Sequence, residues 1–139
     1  MSGVYTAPEF LRGDRRVDFR ADHFSLGVVL YEILTDKIPY DGHGGKVGVL
    51  PDPIRSGSRL IPASELSPER DKISGRIWQP IDKLLSRSLA IEADQRFDTT
   101  SEWLDGWNAI MAELRKVDSG RKSTSVAVRL LDWLTSRFG

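Results

Sequence analysis

GHGGKVG, residues 42–48, places four glycines around a lysine, and a glycine-rich turn with a lysine is the usual way to cradle phosphate. The spacing does not support that chemistry. A phosphate loop needs a glycine six positions before the lysine and a hydroxyl residue directly after it. Tyr40 and Val47 occupy those positions around Lys46, and no strand precedes the cluster. The stretch is therefore expected to be a flexible surface loop. His23 and His43 stand far apart with no ligand-spaced partner, so no metal site is expected. Ser25 has no neighbouring base, and both Ser25 and His23 fit the first turn of a helix. The chain has no cysteine, which excludes disulfides, thiolate metal ligands and thiol nucleophiles.

Whole-chain properties exclude further classes. The 139 residues carry 20 basic and 20 acidic side chains, a net charge of zero. No general field exists to recruit nucleic acid, and no nucleic-acid partner is expected. The N-terminus lacks a basic segment followed by an apolar one. The longest apolar stretch, Leu26 to Leu34, is too short to span a bilayer. Membrane association is not expected, and a cytoplasmic location is.

Apolar periodicity supplies the elements. FSLGVVLYEIL, preceded by Asp22, is apolar on nearly every side at 100° per residue, the pattern of a buried helix. Asp22 is placed to cap it and Pro39 to follow its end. Residues 41–75 are dense in Gly, Pro and Ser and are expected to form a loop, with at most a short helix near Val47. Ile77, Ile81, Leu84, Leu85 and Leu89 recur at three and four, and Pro80 places the start of their helix near Gln79. Thr99 and Glu102 form a capping-box pattern before a stripe of Trp103, Leu104, Trp107, Ile110, Met111 and Leu114. A polar link then leads to a last amphipathic stretch with Val126, Leu130, Leu131, Leu134 and Phe138 on one face. The expected fold is mainly α, with no repeat and no hairpin.

Three segments in order resemble the C-terminal lobe (C-lobe) of a eukaryotic-type Ser/Thr protein kinase. YTAPE, Tyr5 to Glu9, matches the end of the activation segment, whose A-P-E belongs to the kinase signature set. ADHFSLGVVLYEILTDKIPY matches the pattern of the lobe's central helix. LLSRSLAIEADQRFDTTSEWL is similar to the stretch between the last two core helices; Glu92 and Ala93 replace the usual Asp–Pro, and Arg96 keeps the arginine. The resemblance implies a partial kinase C-lobe over residues 1–115, followed over 116–139 by a linker and a C-terminal amphipathic helix.

The resemblance also implies roles. Glu9 and Arg96 would form a structural ion pair pinning the activation segment to the lobe. Ser2 and Tyr5 would lie on the substrate side, with Ser2 at the threonine that lines the acceptor-hydroxyl site. Met1 takes the place of the glycine before that threonine. Asp22, in the central helix, would accept backbone hydrogen bonds from the catalytic loop. The glycine-rich loop, the strand lysine, H-R-D and D-F-G all precede A-P-E in the family, and none occurs here. The chain alone is thus expected to have no catalytic residue and to hold no cofactor; ATP and magnesium are implied only for a complete kinase. Two functions follow: a C-terminal fragment of a Ser/Thr kinase, or a non-catalytic kinase-derived interaction module. In either case an upstream kinase segment or a protein partner must cover the central apolar helix.

Overall fold

A computed structural model of the chain describes residues 3–119, with side chains as far as Lys116. Ser2 and the amphipathic stretch 126–138 lie outside the described residues. Those described form an all-helical unit without strands. In order these are α1 (Pro8–Leu11), α2 (Phe19–Thr35), a 3-10 segment (Gly44–Val49), α3 (Asp52–Gly57), α4 (Ala63–Leu66) and α5 (Gly75–Ser88). A 3-10 turn (Ala93–Gln95) and α6 (Thr100–Ser119) complete it.

α2, α5 and α6 build the core. Phe24, Val28 and Tyr31 of α2 are buried with Ile77, Ile81, Leu84 and Leu85 of α5, and Trp103, Ile110 and Leu114 of α6 close the other side. A serine hydroxyl is buried among them. The Ser88 hydroxyl donates to the Leu84 carbonyl at 2.8 Å and accepts from the Trp103 indole N–H at 3.0 Å, so its burial strands nothing.

Two of the helix starts differ from those expected. α2 begins five residues before Phe24, and its cap is Asp18, whose side chain accepts from the Arg20 amide at 2.9 Å. Asp22 is inside the first turn and caps nothing. α5 begins at Gly75, capped by Ser74, with Pro80 in its interior. The proline forfeits one helical hydrogen bond, but Ile77 and Trp78 ahead of it are buried, and the Trp78 indole donates to the Arg70 carbonyl at 3.2 Å. That tertiary anchoring outweighs the local penalty. At α6, the Glu102 amide donates to the Thr99 hydroxyl at 3.1 Å, as the capping pattern implies. The stripe of α6 is narrower than expected, because Leu104 is 47% exposed.

The central helix is only partly wrapped. Phe24, Val28, Tyr31 and Ile33 are buried, whereas Leu26 is 42% exposed and Val29, Leu30 and Leu34 are half-buried. Among the described residues, no helix is long and apolar enough to cross a membrane.

Candidate functional site

Arg96 is the focus. It follows the 3-10 turn after α5, and its side chain is fully buried. Two of its N–H groups reach the two oxygens of Glu9, at 2.7 and 2.9 Å. The others donate to the carbonyls of Ala90 at 2.8 Å, Arg20 at 3.1 Å and Ile91 at 3.1 Å. A guanidinium has five donors, and all five are used. Its plane also lies over the Phe24 ring, 4.9 Å from the centroid. Glu9, itself buried in α1, is thereby tied to the start of α2 and to the loop after α5. A buried pair with every donor and acceptor matched avoids the penalty that makes most buried charges destabilising.

The glycine cluster supplies a second anchor and corrects the flexible-loop expectation. Residues 44–49 form a 3-10 segment, and Gly44, Gly45, Val47 and Gly48 are buried. The Gly45 amide donates to the Val4 carbonyl at 2.8 Å. A Cβ on Gly44 would lie 2.1 Å from the Val4 carbonyl oxygen, and one on Gly45 only 1.5 Å from that of Thr6. Glycine is required because two backbones touch. The cluster that looked like a phosphate cradle is a ledge for YTAPE. Among the described residues, no group of His, Asp and Glu side chains is disposed to hold a metal ion.

Tyr5 has a partner that sequence patterning did not indicate. Its hydroxyl donates to Glu32 of α2 at 2.6 Å, and this bond, with burial adding to it, raises the phenol above its ordinary value. Glu32 interrupts the apolar run Leu26 to Leu34, and that interruption was the signal in the sequence.

No family model matches the chain. Individual relatives do. The chain is 35% identical over 117 residues to the serine/threonine-protein kinase PknB of Mycobacterium leprae, over 84% of this chain and 16% of that protein. It is 32% identical over 110 residues to the tyrosine-protein kinase MasK of Myxococcus xanthus, over 79% of this chain and 15% of the relative. The aligned stretch is most of this chain, and its fold ties A-P-E to the arginine after the penultimate core helix. The chain is a partial protein-kinase C-lobe. It spans about a sixth of the length of these relatives.

Within this C-lobe the remaining candidates are dispersed. Asp22 is exposed on α2, and its carboxylate makes no hydrogen bond among the described residues. His23, one residue on, is buried in the first turns of α2, consistent with its reading as a helix residue. It packs edge-on to Phe19 at 5.4 Å and stacks on Trp103 of α6 at 5.9 Å. Its Nε2 is 3.3 Å from the Thr100 hydroxyl, and its Nδ1 is buried without a partner. Burial, the largest influence, lowers its pKa from the ordinary 6.5; Arg96 and Arg20 act in the same direction, while Asp22 and Asp18 oppose it. Protonation then favours the unfolded chain. The stability held by neutral His23 is complete above 6.5 and is lost as pH falls below it. Thermal melts from pH 7.5 to 5 should therefore show a decline that His23→Phe flattens. An equal slope in the variant would exclude His23 as the cause. Ser25 donates to the Ala21 carbonyl at 3.2 Å, the back-bond of an ordinary helical serine.

Proposed function

We propose that the chain is the substrate-side part of a Ser/Thr protein kinase C-lobe. The complete enzyme would transfer the terminal phosphoryl group of ATP, with magnesium, to Ser or Thr hydroxyls of proteins. The observation that carries this reading is the Glu9–Arg96 pair, which pins the A-P-E segment to the helix that organises the lobe. In this role Ser2 would line the acceptor-hydroxyl site and Tyr5 would lie on the substrate side. Tyr5 supports the Ser/Thr branch, since tyrosine kinases usually carry tryptophan there; the relatives include kinases named for either specificity.

Asp22 and Leu26 lie on the same outward side of α2, one turn apart. A carboxylate without a hydrogen-bond partner beside exposed apolar surface suits an upstream kinase segment, whose backbone amides Asp22 would receive. The chain alone would then neither bind ATP nor transfer phosphate. The alternative, a non-catalytic interaction module, is favoured by the exposure of Phe10 in α1, at 63%.

The two are separated by the size of the native protein in its own cells, read with an antibody to residues 120–139. A band well above 15.6 kDa, whose immunoprecipitate phosphorylates protein Ser or Thr, is the expected result. A single band at 15.6 kDa would overturn it in favour of the module.

A further inference from the structure

A second feature lies beyond the far end of α2, away from Glu9 and Arg96. There the chain turns through three consecutive residues of left-handed backbone, Tyr40, Asp41 and Gly42, with φ of 57°, 54° and 89°. Two of the three are not glycine, a conformation that costs energy and persists where surrounding structure enforces it. The turn borders an open cavity of about 340 Å³, within the size range of ligand-binding clefts. Its floor is apolar: Ile38, Ile61, Leu66 and the rings of Tyr31 and Tyr40. Both tyrosine hydroxyls are engaged elsewhere, with the carbonyls of Ile61 and Leu89. Burial pushes both phenols up to about 12, so they remain neutral.

The rim carries the charge. Lys37 and Arg59 border the cavity, both are exposed, and neither has an ion pair among the described residues. Among the described residues that border it, Asp41 is the only acid. A smaller cavity, about 260 Å³ and mainly apolar with one acid, Asp82, and one cation, Lys83, in its lining, adjoins the first across Ile61 and shares Tyr31 with it. The extended backbone near Ser58 to Pro62 borders both.

We propose that this surface docks an acidic protein segment bearing a bulky apolar anchor. The anchor occupies the floor between Ile38 and Leu66, and carboxylates beside it meet Lys37 and Arg59. A protein side chain fits better than an enclosed metabolite, because the cavity is open to solvent whereas small-ligand sites bury most of the ligand. The excess of unpaired cations selects an acidic segment over a basic one. The proposal rests on the cavity and its charges alone and is independent of the kinase reading.

The test uses the full chain and a fluorescein-labelled hexapeptide with a Leu-Phe pair flanked on each side by two glutamates. Saturable binding by anisotropy is expected, and raising salt from about 0.05 to 0.5 M should weaken it. Amide shifts on binding should centre on Ile38, Gly42 and Ile61. Reversing both cations (Lys37→Glu with Arg59→Glu) should weaken binding on the order of tenfold or more. Both positions are exposed, so the fold should survive, as unchanged amide spectra elsewhere would verify. Equal binding of a peptide with lysines in place of the glutamates would overturn the proposal. So would shifts confined to another surface, or no saturable binding. Displacement by octanoate at equal affinity would make this a small-molecule site and overturn peptide docking.

Discussion

Arg96→Ala should cost about 3–5 kcal/mol of stability, measured by urea denaturation. The loss comes from what remains behind. Truncation leaves the Glu9 carboxylate buried without its partner, together with the carbonyls of Ala90, Ile91 and Arg20 that the guanidinium satisfied. Arg96→Lys should recover little of it. An ammonium has three donors and no planar fork, so it cannot serve both Glu9 oxygens and three carbonyls at once. Hydrogen exchange should locate the damage at residues 7–14, where the Leu11 amide donates to Ala7 and the Asp14 amide to Glu9. A cycle with Glu9→Ala isolates the pair. Removing both partners should cost less than the two single losses added, by on the order of 1–3 kcal/mol. Strict additivity would sink the idea that the two act as one anchor.

The elements that apolar spacing can encode were legible. α5 and α6 alternate buried and exposed residues at the helical period, and their cores fall where Ile81, Leu84, Ile110 and Leu114 indicate. The start of α2 was not legible, because its first turn is mostly polar and the apolar run begins only at Phe24. Counting apolar residues therefore chose Asp22 over Asp18. Pro80 misplaced the start of α5 because local backbone rules cannot register how much Trp78 gains by burial ahead of it. The short helices α3 and α4 sit in a Gly- and Pro-rich stretch whose composition reads as loop, yet prolines at their N-terminal ends help to start them.

The site was legible only in part, and by a different route. Glu9 and Arg96 are 87 residues apart, so no local period links them, and family resemblance alone put them together. Tyr5 and Glu32 are 27 apart, and nothing in the patterning paired them. The glycine cluster misled for a physical reason. Glycines that let a backbone approach phosphate are the same glycines that let a backbone approach another backbone, and the partner is invisible until the chain is folded.

That distinction gives the second large effect. Gly45→Ala should destabilise the protein by about 3 kcal/mol, the upper end of overpacking costs. The new methyl would lie 1.5 Å from the Thr6 carbonyl oxygen, and a backbone oxygen has no alternative rotamer to adopt. Either residues 4–6 lift away, losing the Gly45 to Val4 hydrogen bond, or the 3-10 segment unwinds. Gly57→Ala is the matched control. That glycine ends α3 with open space around it and an ordinary φ, so the change should be neutral or stabilise by up to about 1 kcal/mol. Calorimetry on the two variants reads the difference. Hydrogen exchange then tells the anchors apart: in Gly45→Ala the Gly45 amide should lose protection while the Asp14 amide, bonded to Glu9, keeps it. Loss at both would mean that the ledge holds the A-P-E segment and the ion pair merely follows. Calorimetric equivalence of Gly45→Ala and Gly57→Ala would mean that the ledge carries no load, leaving the Glu9–Arg96 pair and the Tyr5–Glu32 bond to hold the segment.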